Sequence, residues 1–194
     1  IGVHFNLTHK FIDNKYIKLE ELILRSIFNY KNRLIDKTWI TDEFNNQLDS
    51  FESAFGCAPD FIDGHHHIHV FPVIRQIILD ILTKRYKNAA KKIWLRRINP
   101  SLRHHDAPKK AMLLNMLAYE FTQAAESANF QLSGDFTGLY SLNFKAYYKS
   151  FMQQWLKTAK DNTLIMCHPS NPSNSSNKTR VMEYNFLISQ EFLD

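Results

Sequence analysis

The sequence predicts an α/β fold with parallel strands, barrel-like in preference to an open doubly wound sheet. Three observations predict it. Segments with strand and helix patterns alternate about five times along the chain. The apolar runs between the helices are four to six residues long, as expected of strands covered on both faces. The polar residues with the most chemistry sit where those runs end, and in parallel α/β folds function collects there. No Gly-x-Gly-x-x-Gly turn is present to support a dinucleotide site in an open sheet.

Bulk properties narrow the class. A chain of 194 residues is long enough for one domain with a sizeable core, and a single domain over 1–194 is expected, with no linker and no internal repeat. Apolar content of 44% and aromatic content of 13% belong to a globular protein. The net charge of +5 is mild, and Lys and Arg are dispersed. The nearest basic patch is Lys91, Lys92, Arg96 and Arg97, with Tyr86 and Trp94 close by. Such a patch could hold single-stranded nucleic acid, but solvated helix ends around a buried strand are the preferred reading, so no nucleic-acid partner is expected. No stretch approaches 18 apolar residues, so no membrane span is expected. Two cysteines, Cys57 and Cys167, lie far apart and do not suggest a disulfide scaffold. Cys167 is read as a buried thiol in a strand, and a cytoplasmic location is expected.

The elements follow in order. Ile1, Val3, Phe5 and Leu7 alternate with Gly2, His4 and Asn6, a strand that puts His4 on the face opposite the aliphatic side chains. Residues 19–30 have helical spacing, and residues 31–38 form a polar connection. Thr41 can cap a helix whose stripe is Phe44, Leu48, Phe51 and Phe55, ended by Gly56 and kept from resuming by Pro59. Residues 60–63 form a short strand. Pro72 opens a helix carrying Ile74, Ile77, Ile78, Ile81 and Leu82. Residues 93–96 are the next strand, and residues 99–108 a loop with His104, His105 and Asp106, most simply facing solvent. A helix over 111–128, a short strand at 131–133 and a loop over 134–140 come next. A helix over 142–159, a strand over 163–167, a Ser- and Asn-rich loop over 169–178 and a helix opened by Thr179 and running to Phe192 complete the chain.

The densest chemistry is Asp63-Gly64-His65-His66-His67-Ile68-His69-Val70-Phe71-Pro72, which holds four of the nine histidines. It lies at a strand-to-helix junction, where a metal-binding loop competes with a solvated turn. Strand ends elsewhere offer His4, Arg96 and His168. Two imidazoles and a carboxylate with an open position make a catalytic divalent site. Asp63 can either ligate directly or orient a histidine from behind. Arg96 is suited to orienting a carboxylate, with a plain surface salt bridge as the alternative. Arg180 and Glu183, three residues apart on a helix, can pair with each other. Trp39, Phe71 and Tyr140 are candidates for stacking on a ligand, with core packing the common alternative.

Several of these motifs resemble one family in order and over nearly the whole chain. They are Gly2-Val3-His4-Phe5-Asn6-Leu7-Thr8, Glu43 with Gln47, the His-rich block with Asp63 and Gly64, Leu95-Arg96, Gly138-Leu139-Tyr140, Met166-Cys167-His168-Pro169, and Arg180 with Glu183. The chain resembles the YdjC-like carbohydrate deacetylases, the ChbG/HpnK type. The resemblance implies the barrel-like (β/α) fold of the glycoside hydrolase/deacetylase group. It implies a metal-dependent enzyme that removes acetyl groups from N-acetylated sugars, with Mg or Zn as cofactor. It makes His4 and His65 the metal ligands, and leaves Asp63, His67, His69 and Tyr140 facing substrate or supporting the ligands. His168 is the candidate general acid, an imidazole's pKa of about 6.5 suiting that role, and Arg96 a second catalytic candidate. The family opens with a strand ending in an Asn-Ala-Asp-Asp-Phe-Gly motif, which supplies a carboxylate ligand and the general base. That motif is not in the sequence, and the expectation is of a chain lacking its first strand. Phe61 also stands where relatives commonly have His. The expected partner is an N-acetylated sugar, with a homodimer left open. A non-catalytic sugar- or metal-binding remnant of the same fold is the alternative reading.

Overall fold

The computed structural model describes residues 1–10, 15–27, 35–87, 93–103, 105–143 and 147–193. Lys91, Lys92 and His104, singled out above, lie outside the described residues, as does the end of the helix expected over 19–30. The elements in order are β1 (Gly2–Phe5), α1 (Leu19–Ile27), α2 (Lys37–Phe55), β2 (Phe61–Gly64), a 3-10 segment (His65–Val70), α3 (Pro72–Arg85), β3 (Trp94–Leu95), α4 (Pro108–Ser127), β4 (Gln131–Leu132), β5 (Phe136–Thr137), α5 (Tyr148–Thr158), β6 (Leu164–Ile165), α6 (Lys178–Leu187) and α7 (Gln190–Leu193). The α/β class is as expected: β1, β2, β3 and β4 form one sheet in that order, β5 and β6 form another, and every pairing is parallel. Among the described residues no helix is long and apolar enough to cross a membrane.

The chain divides into two compact units, one of Ile1–Ile98 with Met116–Ser133, the other of Asn99–Asn115 with Gly134–Asp194. In the first, α2 packs against β1 and α3. Its stripe is the expected one, with Ile40, Phe44, Leu48 and Phe51 buried, while Phe55 is exposed. The rings of Phe5 and Phe44 meet at 4.6 Å between centroids. Both are fully buried, and a buried Phe of this kind contributes about 1.5–3 kcal/mol through area removed from water. Truncation adds a cavity term, so Phe44→Ala is expected to cost about 3–5 kcal/mol, read as a lower urea midpoint at unchanged slope. Arg85, in the last turn of α3, reaches back to Asp49 at 2.5 Å and Glu52 at 2.7 Å, tying the two helices together.

Helix boundaries differ from the sequence reading for identifiable reasons. Helix α2 is capped by Asp36, not Thr41, because the Asp36 carboxylate accepts the Trp39 N–H at 2.9 Å. Its end is as expected, with Gly56 in the left-handed conformation at φ 69°. The helix expected from residue 142 begins at Tyr148, since Leu142 has φ 56°, incompatible with a right-handed turn. The last helix is capped by Asn177 and broken after Leu187, giving α6 and α7. Cys167 lies beyond β6 and is exposed, not buried in a strand.

Candidate active site

In the first unit, the parallel register places His4 beside Asp63 on adjacent strands. Val3 and Phe5 turn inward, so His4 turns outward, as the alternation requires. Its Nδ1 lies 2.6 Å from Asp63 Oδ1. The other carboxylate oxygen, Oδ2, takes Nη1 of Arg96 at 2.9 Å. Arg96 is itself buried, and its Nη2 donates to the Gly64 carbonyl at 2.8 Å and to His67 Nδ1 at 3.3 Å. Burial by itself would raise the Asp63 carboxyl. The His4 hydrogen bond and the charges of Arg96 and His4 outweigh it and hold the group below the usual carboxylate value. An ionised Asp63 only accepts, so His4 carries a proton on Nδ1, and in its neutral form the ring presents a lone pair at Nε2.

That Nε2 lies 3.2 Å from Nδ1 of His65. Two imidazole nitrogens bound to one tetrahedral ion at about 2.0–2.1 Å would stand roughly 3.3 Å apart. The pair therefore fits two positions of a divalent coordination sphere, and Asp63 behind His4 completes the carboxylate–histidine arrangement found at metal sites. Among the described residues no group of three His, Cys, Asp or Glu side chains gathers around one such point.

The remaining histidines divide by environment. His66 and His67 both adopt left-handed backbone conformations, at φ 52° and 61°. Two consecutive non-glycine residues there carry strain of the kind that concentrates at functional sites. His66 is exposed, lies 4.0 Å from the His65 ring, and has Nδ1 2.8 Å from the Thr8 hydroxyl. His67 and His69 are buried. His69 donates from Nε2 to the Arg96 carbonyl at 3.1 Å. Gly64 leaves the room it needs, since a Cβ there would stand 2.7 Å from the His69 backbone nitrogen.

Burial, then the charge of Arg96, push the His69 imidazole down to about 3. Its ordinary value in an unfolded chain is about 6.5, so between those limits the unfolded state takes a proton that the folded state refuses. Stability is expected to fall with pH across that window, by up to about 1.4 kcal/mol per unit from this group. Asp63, shifted below its ordinary value, adds a loss of the same sign below about pH 4. Urea titrations at pH 7, 5.5 and 4.5 should show a shallower pH slope in His69→Gln than in the parent; equal slopes would exclude the histidine as the source.

The loop after β1 is fixed by residues that the sequence reading quoted without a role. Gln47 on α2 accepts the Asn6 N–H at 3.0 Å and donates to the Asn6 carbonyl at 2.7 Å, and Glu43 takes the same amide group at 2.7 Å. The Asn6 side chain in turn accepts the N–H groups of Thr8 and His9.

In the second unit the chemistry lies beyond β5 and β6. Tyr140 is buried against Tyr148, Phe151 and Trp155, so its ring is core and presents no stacking face. Its hydroxyl donates to Glu183 Oε1 at 2.5 Å. The other oxygen of Glu183 accepts the backbone N–H of His168. Glu183 is fully buried, and burial pushes its carboxyl above the usual range against the lowering pull of Tyr140, His168 and Arg180. Asp106 accepts from the Ser141 backbone at 2.8 Å and hydroxyl at 2.6 Å, and His105 Nε2 lies 2.6 Å from the Ser101 carbonyl. Phe71, another stacking candidate, is buried, and Trp39 is half-buried under Lys15.

A model of the family described as YdjC-like protein matches residues 1–194. The chain belongs to the YdjC-like family. Among curated relatives, a chitooligosaccharide deacetylase of Yersinia enterocolitica (serotype O:8) is 29% identical over 135 residues, covering 68% of this chain and 43% of that protein. A chitooligosaccharide deacetylase of Proteus mirabilis is 42% identical over 43 residues, 22% of this chain and 17% of that protein. The chain thus spans less than half the length of the curated relatives it matches. Among solved structures, one of a "putative cellobiose-phosphate cleavage protein" from Enterococcus faecalis V583 aligns with a TM-score of 0.57 at 20% identity, covering 98% of this chain and 70% of that one. At that identity the likeness speaks for the fold.

Of the residues the sequence pointed to, the YdjC-like fold brings His4, Asp63, His65, His67, His69 and Arg96 together in the first unit. Tyr140 and His168 meet at Glu183 in the second. Sequence reasoning had Glu183 pairing with Arg180, and its role as the acceptor between two strand ends carried no local signal.

Proposed function

We propose that this YdjC-like chain carries a carbohydrate N-deacetylase site, hydrolysing the acetamide of N-acetylated sugars with the help of a divalent ion, Mg or Zn. The 3.2 Å spacing of His4 Nε2 and His65 Nδ1, with Asp63 and Arg96 behind His4, carries the proposal. The chemistry such an ion supplies when bound is Lewis-acid activation of water and of the acetamide carbonyl. The chain's own part is to keep the two lone pairs aimed at one point. Asp63 accepts a hydrogen bond from the Nδ1–H of His4, which fixes the tautomer, and Arg96 fixes Asp63. Arg96, buried and engaged through both terminal nitrogens by Asp63, Gly64 and His67, orients the carboxylate and not the sugar. His168 gives a proton to the amine as the C–N bond breaks, leaving acetate and the free amino sugar. The general base is assigned by family resemblance to the acidic pair that precedes this segment in relatives.

The names of the Yersinia and Proteus relatives support a chitooligosaccharide as the substrate class. Deacetylation of N-acetylglucosamine oligomers, with and without added divalent ion, tests the reading. Ion-dependent acetate release supports it, and binding of ion or sugar with no release supports the alternative of a non-catalytic remnant.

A further inference from the structure

We propose that Glu183 is a positioning residue for His168, its carboxylate joining the His168 backbone to the Tyr140 hydroxyl and so setting the direction of the His168 side chain. The proposal rests on the reading of His168 as proton donor and adds the device that aims it.

Two features of the second unit carry the inference. The first is the cost of the carboxylate. Glu183 is fully buried on α6, and both its oxygens accept hydrogen bonds, one from Tyr140 and one from the His168 N–H. Burying a carboxylate is costly, and a well-packed apolar residue of similar volume is often neutral or better for stability. Tyr140, its partner, belongs to an apolar cluster with Tyr148, Met152 and Trp155. What an apolar side chain could not do is hold the N–H of residue 168 and the hydroxyl of residue 140 at once.

The second is the closeness of the segments so joined. β5 and β6 pair in parallel, with Thr137 opposite Ile165, and the Met166 N–H continues the ladder to the Thr137 carbonyl at 3.0 Å. Just beyond, Gly138 takes φ 94°, and a Cβ on it would stand 2.3 Å from the Met166 carbonyl oxygen. The backbone leading to Tyr140 therefore lies directly on the backbone leading to His168. The Thr179 hydroxyl, at the start of α6, also bonds the Leu142 carbonyl at 2.8 Å. With both strand ends fixed to each other and to α6, the carboxylate sets the last peptide before the imidazole, where a small rotation would swing the ring.

The test compares Glu183→Leu with Glu183→Gln in the full chain. The amide can accept the His168 N–H through its oxygen while donating to the Tyr140 oxygen, so it should preserve the arrangement; Leu cannot. Proton–nitrogen NMR spectra should show the His168 amide and ring resonances displaced in Glu183→Leu and returned close to parent positions in Glu183→Gln. On N-acetylglucosamine oligomers, folded Glu183→Leu should lose roughly tenfold to a hundredfold in kcat with KM within about twofold. Unchanged His168 resonances, or unchanged kcat, in a folded Glu183→Leu protein would overturn the proposal. If Glu183→Leu does not fold, Tyr140→Phe serves instead, and it must still displace the His168 amide resonance. A parent chain without deacetylase activity would sink the functional reading, while the NMR comparison would still decide whether Glu183 positions His168.

Discussion

His65→Ala is expected to abolish divalent-ion binding and, with it, acetamide hydrolysis. In the parent, elemental analysis after equilibration with Zn should find about one ion per chain, and in the variant close to none. The reason is the count of donors. His4 and His65 are the two nitrogens that converge, 3.2 Å apart, and a single imidazole leaves an ion bound at the protein by one bond among the described residues. Changing a group that only supports a metal ligand typically costs about 10–100-fold in affinity or activity, so removing a ligand should cost more than that. His66→Ala is the control, because that exposed ring lies beside His65 without sharing the His4 contact. Ion content that survives His65→Ala would defeat the assignment of His65, whatever happened to activity.

Arg96→Met should destabilise the fold by about 3–5 kcal/mol, because it leaves the buried Asp63 charge with the His4 contact but without its guanidinium. Arg96 is 3% exposed, Asp63 8%, and they meet at 2.9 Å. Such a loss reflects the partner left behind more than the worth of the pair itself. The double variant Arg96→Met with Asp63→Asn should therefore recover a substantial part of the stability while still binding the ion poorly, since His4 would have lost the carboxylate that fixes its tautomer. Urea unfolding of the four proteins gives the cycle. Strict additivity of the two changes would show that the groups do not interact.

The sequence made part of this legible. Alternation around Val3 and Phe5 was enough to turn His4 away from the core, because strand side chains have period two. The stripe of α2 and the role of Gly56 were equally readable, being local properties of a helix and its end. Asp63 and Arg96 could be seen as strand-end residues, but not as partners. Their meeting depends on the register of β2 with β3, which pairs segments 30 or so positions apart. β5 was missed because Phe136 and Thr137 stand between Gly134 and Gly138, in a stretch that reads as a loop. The cap was read as Thr41 and is Asp36, because both residue types suit a cap and only geometry decides which side chain reaches a free N–H. Glu183 was beyond reach for a different reason. A glutamate three residues from an arginine on a helix looks like an exposed pair, and nothing nearby in sequence announces that it will be enclosed.

The three consecutive histidines, identical as letters, are not interchangeable. Because the backbone turns left-handed at the second and third, their rings leave the chain in different directions: His65 toward His4, His66 toward solvent and Thr8, His67 into the interior beside Arg96. Role is thus assigned by ordinal place in the run, counted from Gly64. A repeat of one residue type ordinarily tolerates changes in its length better than changes in its composition. Here the opposite should hold, since losing or gaining one histidine would leave the composition almost untouched and reassign every role in the run, including that of His69 behind it.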